Sequence, residues 1–343
     1  MERIQQLPKV ELHLHLDCSL SYEVVVKIDP SVTKEEYLRE FIAPSKCTDL
    51  TDFLTRAVKG FALMQTKEQL QLVVFDLFKQ LAADNMLYAE IRFAPLLHLE
   101  KGLTPYEVVA TIEEAASKAI KETGIEARLI LCTLRHYTEK QSMETVKLVE
   151  QFKGTLVAGF DIAGDEAGFP VASHIAAFNY AKEKAIPCTA HAGEAKGAES
   201  VWETIQYFGP SRIGHGVRSI EDKKLVENLC TNNIHLEVCP TCNVLIDIYD
   251  TYQHHPINEL YQAGVSVSVN TDTRTITNIT LVKEYNKLQE VFGWTIQDFY
   301  NCNVNALKAA FIPLAVKTKL LDRLFTAYKT AEPGLVKVPA THK

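Results

Sequence analysis

The chain has 343 residues, 47% of them hydrophobic, and a formal net charge of −7 made of both signs. That balance points away from nucleic acid and anionic membranes as partners, and no apolar run approaches the ~20 residues that span a bilayer. The eight cysteines are scattered, and the first twenty residues carry Glu2, Arg3, Lys9, Glu11 and Asp17. The thiols therefore read as reduced, in a cytoplasmic protein without a secretory leader.

The first element, 9–16, alternates strictly. Leu12, Leu14 and Leu16 fall on one face of a strand, and Glu11, His13, His15 and Asp17 on the other. Seven more β-rich runs follow at 87–94, 127–134, 155–162, 187–192, 212–217, 234–239 and 265–271. Helical periodicity fills the gaps, at 104–122, 139–152, 171–184, 199–208 and 221–230. Strand and helix in alternation imply parallel pairing through crossover helices, and eight such units predict an α/β fold of the (β/α)8 barrel type. A doubly wound sheet would need a Gly-rich phosphate turn after its first strand, and Leu16-Asp17-Cys18-Ser19 is not one.

A single barrel domain is expected over 1–330. About seventy residues separate the first two strands, too many for one crossover. Residues 29–66 therefore read as inserted helices, with Leu50, Phe53, Leu54 and Phe61 spaced along one face, forming a lid over the C-terminal strand ends. The tail, 331–343, shows no periodicity after Pro333-Gly334 and is expected to be poorly ordered.

In a barrel, chemistry gathers at the C-terminal ends of the strands. Those ends supply His13, His15 and Asp17; then Asp161-Ile162-Ala163-Gly164-Asp165-Glu166; then His191-Ala192-Gly193-Glu194, Gly214-His215-Gly216 and Asn270-Thr271-Asp272-Thr273. Four of the eleven histidines fall there. His13, His15 and His191 with one oxygen from Asp272 make a ligand set that suits a single zinc ion and leaves room for water. Glu194 sits in the loop beyond His191, free to face the cavity without ligating, and His215 can approach from another side. Glu90 and Arg92 share a face of the second strand, and with Glu11 they are expected to form a buried structural charge cluster, since buried charges must be paired.

These motifs, in this order and over nearly the whole chain, resemble the adenosine deaminase family of metal-dependent amidohydrolases. His-X-His alone marks only the superfamily; His191-Ala192-Gly193-Glu194 with Gly214-His215-Gly216 downstream is far more specific. The resemblance implies zinc-dependent hydrolysis of adenosine and 2′-deoxyadenosine to inosine and ammonia, in purine salvage. Its residue roles are His13, His15, His191 and Asp272 on the metal, and Glu194, His215 and Asp272 in catalysis. His15 and Asp17 would lie near the ribose, Gly164 would offer backbone to purine N3, and Phe53 and Leu54 would line the lid. A small purine nucleoside is the expected partner, with no obligatory protein partner.

Departures from the family pattern point to specificity. Thr273 stands where a second Asp usually meets the N7 edge, with Arg274 next, so the substrate could instead be another 6-aminopurine: adenine, or a modified adenosine such as an aminofutalosine derivative. Asp17 would repel a 5′-phosphate. Cys18 replaces a usual Gly and would be strained if its turn needs positive φ. Ala57 replaces a frequent aromatic and implies a roomier purine entrance. Cys239-Pro240-Thr241-Cys242 fits neither the P-C-x-x-C pattern of other zinc deaminases nor a thioredoxin-like redox pair.

Overall fold

The computed structural model describes residues 2–337. Eight strands run in parallel: β1 (Lys9–His15), β2 (Met86–Phe93), β3 (Glu126–Leu134), β4 (Val157–Ala163), β5 (His191–Ala192), β6 (Arg212–His215), β7 (His235–Val238) and β8 (Val267–Val269). They pair in the order β1-β2-β3-β4 and β5-β6-β7-β8. Two short bridges join the halves into one ring, Phe160 with Cys188 and Leu14 with Asp272. At the second, His15 N–H donates to Asp272 O at 2.8 Å and Asp272 N–H to His13 O at 3.1 Å. The ring therefore closes through the residues that carry the predicted chemistry.

The crossover helices start where their sequences say they should. Thr66, Thr104 and Thr138 each cap a helix with a reciprocal bond from the third residue on, opening Lys67–Ala83, Pro105–Thr123 and Glu139–Gln151. Leu12, Leu14 and Leu16 are buried in the apolar shell of the barrel, while Glu11 and His13 are buried within a polar interior.

That interior is a lattice of ion pairs. Arg92 bonds Asp161 and Glu237, both at 2.6 Å, and Arg212 bonds Glu90 at 2.6 Å and Glu237 at 2.8 Å. Glu11 does not join Glu90 and Arg92 as expected. It pairs with Arg274 at 2.9 Å, and Arg274 also bonds Asp84 at 2.7 Å. The alternation of β1 was read correctly, but it could not say which arginine would reach Glu11 from 263 residues away.

Short helices occupy the 29–66 insertion: Lys34–Glu40, Leu50–Leu54 and Ala57–Ala62. The insertion touches segments that follow four strands. Ala43 N donates to Ile276 O and Cys47 N to Leu245 O, each at 2.8 Å; Thr51 Oγ1 lies 3.4 Å from Asp165 Oδ2. Gly60 presses on the turn after β1 so closely that a Cβ there would meet Asp17 O at 2.4 Å. Toward the end of the chain, Leu335 is buried and Val336 N bonds Gln297; residues 338–343 of the expected tail lie outside the described residues.

Replacing Arg212 with Met would leave Glu90 and Glu237 buried without that partner. The expected cost is ~3–5 kcal/mol of unfolding free energy, read from the urea midpoint at constant slope. A loss below ~1 kcal/mol would show that the lattice is not held by this pair.

Candidate active site

At the C-terminal mouth of the barrel, four donors converge. His13 Nε2 lies 3.3 Å and His15 Nε2 3.4 Å from Asp272 Oδ1, and the Nε2 atoms of His15 and His191 are 3.2 Å apart. His215 adds a fourth imidazole, its ring centre 4.7 Å from that of His13. Ligand atoms of His13, His191, His215 and Asp272 all fall within 4.8 Å of one another.

The far sides of two rings are pinned. His13 Nδ1 is 2.9 Å from Glu237 Oε2, and His191 Nδ1 is 3.2 Å from Asp161. Carboxylates there fix the proton on Nδ1 and turn the Nε2 lone pairs inward. Burial works against the Asp161 carboxylate, but His191 and Arg92 outweigh it and hold the carboxyl well below its ordinary range. His13, His15 and His215 are held neutral, first by burial and then by neighbouring positive charge.

This arrangement tests whether a metal fits. His13 Nε2 is buried and has no hydrogen-bond partner. Inward lone pairs facing a carboxylate oxygen at these distances repel one another unless a cation lies between. Three imidazoles and one carboxylate are a donor set for a divalent metal, and the residues fit one.

Glu194 stands beside the donors. Its Oε1 lies 3.3 Å from His215 Nδ1 and 3.5 Å from Asn243 Nδ2, with Cys242 Sγ at 3.9 Å. Burial, then the charges of Asp272 and Glu166, push its carboxyl well above the usual range. Its loop is held by Glu166, which accepts from the backbone N–H groups of Gly193 at 2.7 Å and of Glu194 and Lys196 at 3.0 Å. His215 and Asp272 both sit at positive φ, +59° and +63°, a conformation non-glycine residues adopt at a cost.

The other predicted residues fall around this centre. Asp17 is buried, accepts from Ala94 N at 3.2 Å, and is raised by burial to about 6. His15 Nδ1 is 3.9 Å from it. Gly164 needs its glycine for a φ of +96°; a Cβ there would meet nothing closer than 3.6 Å, so close approach of a neighbour is not the reason. Thr273 is buried with Oγ1 unpartnered. Arg274, by contrast, is drawn off to Glu11 and Asp84. Cys18 ends a single turn of 3-10 helix, Leu16–Cys18, and is not among the residues with positive φ, so the expected strain is absent.

Phe53 packs with Cys18, Cys47, Leu50, Cys239, Cys242 and Ile276 in one apolar cluster, which Leu54 and Ala57 flank. Cys239 and Cys242 are free, buried thiols. Sequence reasoning missed Glu237, Asn243 and Glu166 as supports of the site. Glu237 had a faint signal, an acid alternating with His235 on a short strand; Asn243 had none.

The family model described as adenosine deaminase matches residues 8–327. An adenosine deaminase of Enterococcus faecalis is 35% identical over 332 residues, covering 95% of this chain and 98% of that one. Among solved structures, adenine deaminase from Arthrobacter aurescens superposes with a TM-score of 0.87 at 25% identity, covering 94% of this chain and 99% of that one. An amidohydrolase from Burkholderia ambifaria with bound zinc superposes with a TM-score of 0.88 at 21% identity, covering 97% and 93%. The convergence of imidazoles and one aspartate at the mouth of a parallel barrel and the match along nearly all of the sequence agree: the chain belongs to the adenosine deaminase family.

Proposed function

We propose that this protein hydrolyses adenosine and 2′-deoxyadenosine to inosine and ammonia, with one zinc ion held by His13, His15, His191 and Asp272. The observation that carries the reading is the buried Glu194 carboxyl, 3.3 Å from His215 and beside that donor cluster, in a chain of this family. Bound there, zinc supplies the Lewis acidity that makes water nucleophilic near neutral pH.

The chain's own residues supply the rest. Glu194 donates its proton to purine N1, which draws electrons from C6 and opens it to attack. Asp272 takes the proton of the incoming water, and His215 orients that water. The proton taken by Asp272 passes to the amino group, which leaves as ammonia, and the second proton of the water returns to Glu194. His15 and Asp17 meet the ribose, and the buried Asp17 disfavours a 5′-phosphate. Gly164 offers backbone to N3, and Thr273 meets the N7 edge with a hydroxyl in place of a charge. Residues 29–66, with Phe53 and Leu54 inward, act as a lid that excludes water and keeps the local dielectric low. No described helix is long and apolar enough to cross a membrane, and a cytoplasmic role in purine salvage suits a nucleoside substrate.

Glu194→Gln keeps the shape of the side chain and removes the acid. We expect kcat to fall by ~10²–10⁴-fold while metal content, read by elemental analysis, stays at one per chain. Activity within ~10-fold of wild type would end Glu194's role as the acid. Exhaustive chelation should abolish turnover, and one equivalent of zinc per chain should restore it. Full activity in metal-free protein is the result that contradicts this part of the reading.

A further inference from the structure

Three hydrogen bonds run from a backbone amide to His215, and their directions follow one from another. Ile257 N–H lies 3.2 Å from His255 Nδ1. A backbone amide can only donate, so His255 Nδ1 holds a lone pair and the proton of the neutral ring is on Nε2. His255 Nε2 lies 3.2 Å from Asn243 Oδ1 and donates to it. The ring has little freedom to turn, being buried, with Tyr249 edge-on at 5.2 Å and Tyr252 at 6.3 Å. With its oxygen engaged, Asn243 turns its amide nitrogen to His215 Nδ1 at 3.1 Å and to Glu194 Oε1 at 3.5 Å.

An N–H that faces His215 Nδ1 requires a lone pair there. The remaining partner of that nitrogen is Glu194 Oε1 at 3.3 Å. As a carboxylate it would pull a proton onto Nδ1 and set it against the Asn243 amide; as a carboxylic acid it leaves the lone pair in place.

We infer that Asn243 and His255 are positioning residues that hold His215 as its Nε2–H tautomer. The inference rests on the deaminase reading above for its consequence, and on geometry alone for the tautomer. A protonated Nε2 has no lone pair, so it neither ligates a metal nor takes a proton from water. It donates. Of the imidazoles gathered at the mouth, His215 is thereby kept from ligating through Nε2, although one of its ring nitrogens lies within 4.8 Å of ligand atoms of His13, His191 and Asp272. The same restriction leaves Asp272 to accept the water's proton, and makes His215 the group that fixes the water's direction.

The test uses zinc-loaded protein with imidazole-15N histidine and long-range proton–nitrogen correlation spectra, which separate protonated from unprotonated ring nitrogens. His215 is expected with Nε2 protonated and Nδ1 bare. A proton on Nδ1, or no proton on Nε2, overturns the inference whether or not the protein turns over adenosine, so its failure is distinct from failure of the functional reading. Asn243→Asp replaces the donor with an acceptor. It should move the proton to Nδ1 and lower kcat by ~10–100-fold with KM little changed; unchanged spectra with unchanged kcat would contradict the relay. Should Asn243→Asp not fold, His255→Phe frees the Asn243 amide and is expected to give a mixed His215 tautomer. His255→Gln, which still donates to Asn243 Oδ1, should keep the wild-type spectrum. Equal spectra for these two variants would likewise overturn the inference.

Discussion

The site depends on one buried guanidinium. Arg92, on the second strand, holds Asp161 on one side and Glu237 on the other. Those two carboxylates are the groups that pin His191 and His13. Without the arginine, Asp161 and Glu237 would each lose a buried cationic partner, and a buried charge short of a partner is costly to keep. The two carboxylates would then hold His191 and His13 less firmly, and the inward lone pairs of the imidazoles would lose their definition. Arg212 repeats the arrangement one layer away by sharing Glu237. The ion pairs that fill the barrel therefore act as structure and as the orienting layer of the donor cluster.

Geometry at the mouth is costly in the same sense. His215 and Asp272 hold left-handed backbone conformations, and the rings of His13 and His15 crowd the Asp272 carboxylate oxygen. Such strain persists only where surrounding contacts over-determine it. Here they do: β1 and the segment after β8 exchange backbone bonds at His13, His15 and Asp272, Glu166 clamps the Glu194 loop, and the 29–66 insertion bonds to the segments after β4, β7 and β8.

Much of this was legible in the sequence. Alternation in β1 gave both faces of the strand, because a buried polar face leaves period-two chemistry that periodicity alone exposes. All eight strands were visible as β-rich runs between helical patterns. The histidines and Asp272 were found because strand ends in a barrel share one mouth. What escaped depends on long-range partners. Glu11 was grouped with Arg92 on local alternation, whereas Arg274 reaches it. Arg274 was marked only as the residue after Thr273, and its length carries its charge into the lattice. Cys18 was expected to cost strain only if its turn needed positive φ, and only the backbone shows that it does not. Asn243 carries no sequence signal, because its importance lies in which end of an amide faces a ring.

The central claim, a deaminase of adenosine, is tested most directly by a substrate panel on zinc-loaded protein. Loss of the 6-aminopurine absorbance would be followed for adenosine, 2′-deoxyadenosine, 5′-modified adenosines, adenine and AMP. The account predicts that adenosine and 2′-deoxyadenosine turn over fastest and AMP poorly, with the Thr273 hydroxyl serving at N7. Metal-replete protein that is idle on adenosine but active on adenine or a modified adenosine would contradict the substrate and keep the chemistry.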